Sequence, residues 1–185
     1  MSTMIETLYK PVEQSTYNIA KTIKLLICDV DGVFSDGLIY MGNNGEELKT
    51  FHTRDGYGVK SLMKAGIDIA IITGRKSDIV ENRMKALGIS LIYQGQDDKL
   101  KAYDDICKRL NVAPEHTAYI GDDLIDWPVM EKVALKVCVG DGHPLLVTRA
   151  NYVTQTLGGH GAVREVCDLI LQSRDELESY KGLSI

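Results

Sequence analysis

Cysteine is scarce in this chain of 185 residues. The four present, Cys28, Cys107, Cys138 and Cys167, include no CxxC pair. Without that spacing a zinc site is not indicated, and reduced, buried thiols are the economical reading. No apolar run reaches the roughly 20 residues of a membrane span. The opening MSTMIETLYKPVEQ has neither the basic segment nor the apolar stretch of a secretory signal, so the expected location is cytoplasmic. Basic residues are not in excess. Lys and Arg number 21 against 26 Asp and Glu, for a formal charge of −5. That balance argues against a broad nucleic-acid surface, but not against a small anion held by a local cluster of cations. Repeats and low-complexity tracts are missing too. The length is that of one domain, expected over 1–185, and a chain of this size buries roughly 70% of its unfolded surface without staples.

What is present is a set of short apolar runs that end in chemistry. KLLICDVDGV, 24–33, reads as a buried strand delivering Asp29 and Asp31 to a turn with Gly32. In an open α/β sheet, ligands bind at such strand ends. Two carboxylates there can divide the work of nucleophile and general acid around a divalent cation. IDIAIITGR, 67–75, ends in Thr73, Gly74 and Arg75, and TAYIGDDLID, 117–126, ends in Asp122, Asp123 and Asp126. Between these two runs Lys99 stands where a helical pattern begins. His52, His116, His143 and His160 read as turn or surface residues and receive no catalytic role.

The rest of the pattern alternates strand and helix, which implies a parallel sheet with right-handed crossovers. Residues 1–22 read as a short amphipathic helix, in two pieces around Pro11. Ser77 caps a helix closed by Gly88. LIYQ, 91–94, is a strand, and a helix follows over 99–110. A strand at 117–121, a short helix around Pro128, a strand at 135–140, a short helix in HPLLVTRA and a strand at 152–154 come next. A long helix is expected through GAVREVCDLILQSRDELESY. Residues 37–52 break the alternation with strand, Gly-Asn-Asn-Gly turn and strand, which is a β-hairpin signal.

The order strand–Asp-x-Asp, strand–Thr, Lys at a helix start and strand–Gly-Asp-Asp resembles the four-motif signature of the haloacid dehalogenase (HAD) superfamily. The resemblance implies a Rossmann-like three-layer α/β fold with a central, mainly parallel sheet. The hairpin sits where relatives carry a cap domain. With 41 residues between Asp31 and Thr73, the chain reads as capless. The resemblance makes Asp29 the nucleophile, Asp31 the acid and base, and Thr73 and Lys99 partners of the phosphoryl group. Mg²⁺ would be held by Asp29, the Asp31 carbonyl and Asp122, with Asp123 and Asp126 behind them. The acid at Asp31 separates phosphatases from dehalogenases.

Beyond those motifs, FHTRDGYGVKSL, IITGRKSDIVENR, YQGQDDKL, IGDDLIDWPVM and GGHGAVREVCDLIL are similar to the phosphatases of 3-deoxy-D-manno-octulosonate (Kdo) 8-phosphate, which serve lipopolysaccharide synthesis. A sugar phosphate bearing a carboxylate is then the implied substrate, and Arg54, Gly74, Arg75 and Lys76 its expected contacts. His160 departs from the basic residue often found in the Gly-Gly-x-Gly run. A nine-carbon sugar acid 9-phosphate phosphatase and a noncatalytic HAD-like module are the alternatives. The resemblance also implies a homotetramer built through the hairpins, with the C-terminal Lys181–Ile185 contributing to a neighbour's site.

Overall fold

The computed structural model describes residues 3–179. The chain begins with an antiparallel ribbon, β1 (Met4–Ile5) and β2 (Val12–Glu13), followed by helix α1 (Gln14–Thr22). Strand β3 (Leu25–Cys28) opens the main sheet. The hairpin strands β4 (Tyr40–Met41) and β5 (Glu47–Leu48) precede α2 (Thr53–Lys64). Then come β6 (Asp68–Ile72), α3 (Asp78–Leu87), β7 (Leu91–Tyr93), α4 (Lys99–Leu110) and β8 (Thr117–Gly121). The chain continues through α5 (Trp127–Met130), β9 (Leu135–Cys138), α6 (Pro144–Arg149), β10 (Tyr152–Val153) and α7 (Ala162–Ser173).

Six strands form one parallel sheet in the order β10-β9-β8-β3-β6-β7. Its central strand is apolar on both sides, because both faces are covered. Leu26 and Cys28 join a core that includes Val59 and Leu62 of α2 and Val166 and Ile170 of α7. Leu25 and Ile27 join another with Tyr103 and Ile106 of α4 and Met130 of α5. Three layers result, and the period-two alternation of strand residues assigns each side chain to its layer. Strand order reverses about β3, so the cleft at the carboxyl ends of β3, β6 and β8 is the topological switch point.

Local chemistry explains most of the boundaries. Gly88 closes α3 with a left-handed φ of 91°, which glycine adopts without steric cost. Asp98 caps α4, its side chain accepting from Leu100 N at 3.1 Å. Ser77 stands at the start of α3, yet its side chain makes no cap bond; its own N–H donates to Gln94 Oε1.

Two expectations are corrected. The N-terminal segment is a ribbon before it is a helix, and helix starts only at Gln14. Pro11 has no N–H and pushes the residue before it toward extended backbone, which ends any helix there. Tyr9 then anchors the ribbon by donating to Asp168 Oδ2 at 2.9 Å. The last helix stops at Ser173, several residues earlier than expected. Asp175 takes a φ of 60° and Glu176 N bonds back to Leu171 O, a turn that terminates the helix. Residues 181–185, expected to reach a neighbour, lie outside the described residues. Among the described residues no helix is long and apolar enough to cross a membrane.

Candidate active site

β3 ends one residue before Asp29, and the turn that follows carries Asp31 and Gly32 past the strand end. Gly32 has a φ of 85°, and a Cβ there would collide with the Asp122 carboxylate. Glycine at this point is what lets the first and last motifs approach. Gly158 and Gly159 lie over the same turn, and side chains there would strike the backbone of Gly32 and of Ser35 and Asp36. His160 follows, its ring Nδ1 2.8 Å from Gly158 O.

Asp29, Asp31, Thr73, Gly74, Arg75, Lys99, Asp122 and Asp123 line one cleft of about 270 Å³, open to solvent. Arg54 and Lys76 are not among its lining residues. Arg54 is exposed at the start of α2, its guanidinium 3.4 Å from His52 Nε2, and the exposed Lys76 packs its stem over Gly95. Thr73 is buried directly after β6, its N–H held by Tyr93 O. A side chain at Gly74 would meet nothing nearer than Gln96 O at 3.9 Å, so local sterics do not demand glycine there.

Three carboxylates, Asp29, Asp122 and Asp126, offer oxygens that lie within 4.8 Å of one another. They differ in what they have left to offer. Asp126 is fully buried and spent on neighbours. Its Oδ1 accepts from Lys99 Nζ at 2.7 Å and from Tyr119 Oη at 2.6 Å, and its Oδ2 accepts from the N–H groups of Asp122 and Asp123. It braces the loop from behind. Asp123 is exposed and caps the next turn, accepting from Leu124 N at 2.7 Å. Asp29 accepts from Val30 N at 2.7 Å and pairs with Lys99 at 3.1 Å, both on Oδ1. Its Oδ2 is left for the cleft.

The electrostatics are unbalanced. Burial and the adjacent Asp126 push the Asp29 carboxyl up to about 8, against the pull of Lys99. Burial, then Asp126 and Asp123, push Asp122 up to about 7. Burial alone would lower the Lys99 ammonium, but Asp29 and Asp126 hold it above the ordinary lysine value. One cation is thus set among three clustered carboxylates. A hard divalent cation suits such an oxygen-only set and would relieve the repulsion that raises Asp29 and Asp122.

Two residues at this site were not found by the sequence reading. Tyr119 places a hydroxyl beneath Asp126 and Lys99 from inside an otherwise apolar strand, and a tyrosine in such a run is the signal that could have marked it. Lys49, from the hairpin, is almost wholly enclosed and pairs with Asp31. Its mark is a lone lysine at the end of an exposed strand.

A parallel sheet with one aspartate at its switch point, a second two residues on, a buried lysine beside them and a loop of paired carboxylates define a HAD-like hydrolase. The chain matches the haloacid dehalogenase-like hydrolase family over residues 91–166. It is 60% identical, over 98% of its length and 97% of the relative's, to the 3-deoxy-D-manno-octulosonate 8-phosphate phosphatase KdsC of Yersinia pestis. A solved structure from Vibrio cholerae is 80% identical with a TM-score of 0.94, covering 96% of this chain and 99% of that one. That of the Moraxella catarrhalis 3-deoxy-D-manno-octulosonate 8-phosphate phosphatase, in complex with magnesium, phosphate and KDO, is 45% identical with a TM-score of 0.87, covering 89% and 95%. The chain belongs to the 3-deoxy-D-manno-octulosonate 8-phosphate phosphatase family.

Proposed function

We propose that this protein is a Mg²⁺-dependent phosphatase that hydrolyses Kdo 8-phosphate to Kdo and inorganic phosphate in lipopolysaccharide precursor synthesis. The observation that carries the reading is Asp29. Its Oδ1 is fixed by Val30 N–H and Lys99, its Oδ2 has no such bond among the described residues, and the residue lines a cleft shared with Asp31 and Asp122. A held carboxylate with one free oxygen at a strand end is a nucleophile aimed before substrate arrives.

Oδ2 of Asp29 attacks phosphorus, and the sugar oxygen leaves with a proton from Asp31. In the second step Asp31 takes a proton from the water that displaces Asp29. Lys99 offsets the charge of the phosphoryl group on Asp29, and the Thr73 hydroxyl and the Gly74 N–H hold its oxygens. Asp29, Asp122 and the Asp31 carbonyl would hold Mg²⁺, which supplies charge neutralisation to the transferring group. Asp126 and Asp123 keep that loop in place.

Arg75 lines the cleft beside Thr73 and suits the substrate's anionic groups. Arg54 and Lys76, which do not line the cleft, serve recognition from its rim or in a neighbour's site. The hairpin supports an assembly. Leu38, Ile39, Met41 and Leu48 are more than half exposed, and two two-residue strands are marginal alone in water. Packing hairpins into a homotetramer would cover these residues and enclose an otherwise open cleft.

Phosphate release measured over a panel of sugar phosphates, with and without Mg²⁺, tests the reading. Kdo 8-phosphate should be the preferred substrate and Asp29→Asn should be inert. Metal-independent turnover, or a working Asp29→Asn, would refute it.

A further inference from the structure

We infer that Lys49 is a positioning residue for the Asp31 carboxylate, so that the hairpin, not the sheet, sets the orientation of the group that activates water. The inference rests on the reading of Asp31 as that base.

Asp29 is oriented by the core, through the backbone of Val30 and through Lys99 at the start of α4. Asp31 is not. Among the described residues its carboxylate has a single hydrogen-bond or ion-pair partner, Lys49 Nζ, which meets Oδ1. No backbone N–H and no core side chain holds it. The Lys49 side chain is only 1% exposed although it directly follows the exposed Leu48 at the end of β5, so its ammonium points inward across the turn. The same nitrogen lies 3.3 Å from Glu47 Oε1, and the other oxygen of Glu47 accepts from Arg75 at 2.8 Å. Charges therefore alternate from Asp31 through Lys49 and Glu47 to Arg75, and the two ends of this chain, Asp31 and Arg75, line the cleft. A lysine whose side chain is enclosed and has a carboxylate on either side is more ordered than one in a surface ion pair, whose two long side chains wander.

The orientation of that carboxylate matters most in the second half of the reaction. There the water oxygen bonds to phosphorus, the bond from phosphorus to Asp29 breaks, Asp29 leaves as a carboxylate, and the water's proton passes to Asp31. A base displaced by about 1 Å costs such a step as much as a hundredfold. The first half differs with the leaving group. p-Nitrophenolate departs without a proton, so attack by Asp29 on p-nitrophenyl phosphate does not need Asp31.

Rapid mixing of the full-length, Mg²⁺-loaded protein with p-nitrophenyl phosphate separates the halves. A burst of nitrophenolate reports phosphorylation of Asp29, and the following linear phase reports its hydrolysis. Lys49→Met should keep the burst rate within about 3-fold, slow the linear phase ~10-fold or more, and accumulate phosphoryl-enzyme visible by intact mass. Lys49→Arg, which keeps the charge, should restore most of the linear phase. If Lys49→Met does not fold, Lys49→Gln takes its place with the same expectation.

Equal slowing of both phases would overturn the inference, because Lys49 would then act on the phosphate or on the fold. An unchanged linear phase would overturn it too. Asp31→Asn, run alongside, should show the same burst and stall. If Asp31→Asn instead turns over normally, the assignment of Asp31 as base is wrong, and the role given to Lys49 falls with it.

Discussion

Replacing Asp29, the proposed nucleophile, should make the metal-free protein more stable. Asp29 is 5% exposed, and burial and Asp126 push its carboxyl from an ordinary 3.8 up to about 8. The folded state then holds a proton that the unfolded chain has released. As pH rises between these values the unfolded state loses its proton first, so folding stability falls across the window from about 4 to 8. At 1.36 kcal/mol for each pH unit, a carboxyl moved from 3.8 to about 8 carries at most about 5–6 kcal/mol of ionisation penalty at the top of that window. Asparagine keeps the shape and removes the penalty. It also deprives Lys99 of one partner, although the ammonium keeps Asp126 at 2.7 Å. Allowing for that loss, the net gain in Asp29→Asn should be about 1–3 kcal/mol near pH 8, or roughly 3–10 °C in Tm for a chain of this size. The assay is thermal unfolding followed by circular dichroism in a chelator, at about pH 6 and about pH 8, where the gain should be larger at the higher pH. Mg²⁺ should raise the Tm of the wild type more than that of the variant, because it binds the ionised cluster. A variant less stable than wild type near pH 8, or a gain equal at both pH values, would refute the argument.

Other outcomes follow from the same geometry. Kdo 8-phosphate should exceed glucose 6-phosphate in kcat/KM by about a hundredfold or more, because a carboxylate can engage arginine and a neutral sugar cannot; parity between the two in a phosphate-release assay would contradict this. Leu38→Glu with Tyr40→Glu should lower the mass seen by light scattering and reduce turnover, and a fully active wild-type monomer at assay concentration would remove the case for an assembly. Gly158→Ala should lose about 2 kcal/mol or more, since its Cβ would overlap the carbonyl of Gly32 and backbone yields less easily than a side chain. A Tm unchanged by that substitution would mean that the loop over the first motif is looser than it looks.

The sequence was most informative where one residue type can do one job. Apolar runs mark the buried strands, and Asp, Thr and Gly mark their ends, so the cleft residues Asp29, Asp31, Thr73, Gly74, Arg75, Lys99, Asp122 and Asp123 are legible in the sequence. Helix α4 was legible from its helical pattern over 99–110, and the structure closes it with Asp98 and Asn111 as caps. The N-terminal ribbon was not legible, because a two-residue strand has no periodicity to read. The end of α7 was missed because Arg174, Glu176 and Leu177 suit a helix; the left-handed turn at Asp175 stops it. Lys49 was illegible for another reason. Its neighbours in sequence are exposed, and its inward direction depends on a contact 18 residues away.

The site thus divides between two kinds of support. The phosphoryl-handling groups stand on strand ends and on the first turn of α4, where both cores hold the backbone and where Tyr119 and Asp126 fix Lys99 from below. A position there is as reproducible as the sheet itself. The groups proposed to tune the second step and to meet the sugar, Lys49, Arg54, Arg75 and Lys76, stand on the hairpin, on exposed loops and at the open start of α2. On the proposed assembly, covering the apolar hairpin would order these groups and exclude water from the open cleft. Assembly would then bear on Asp31 through one lysine, while Asp29 is held by the core alone.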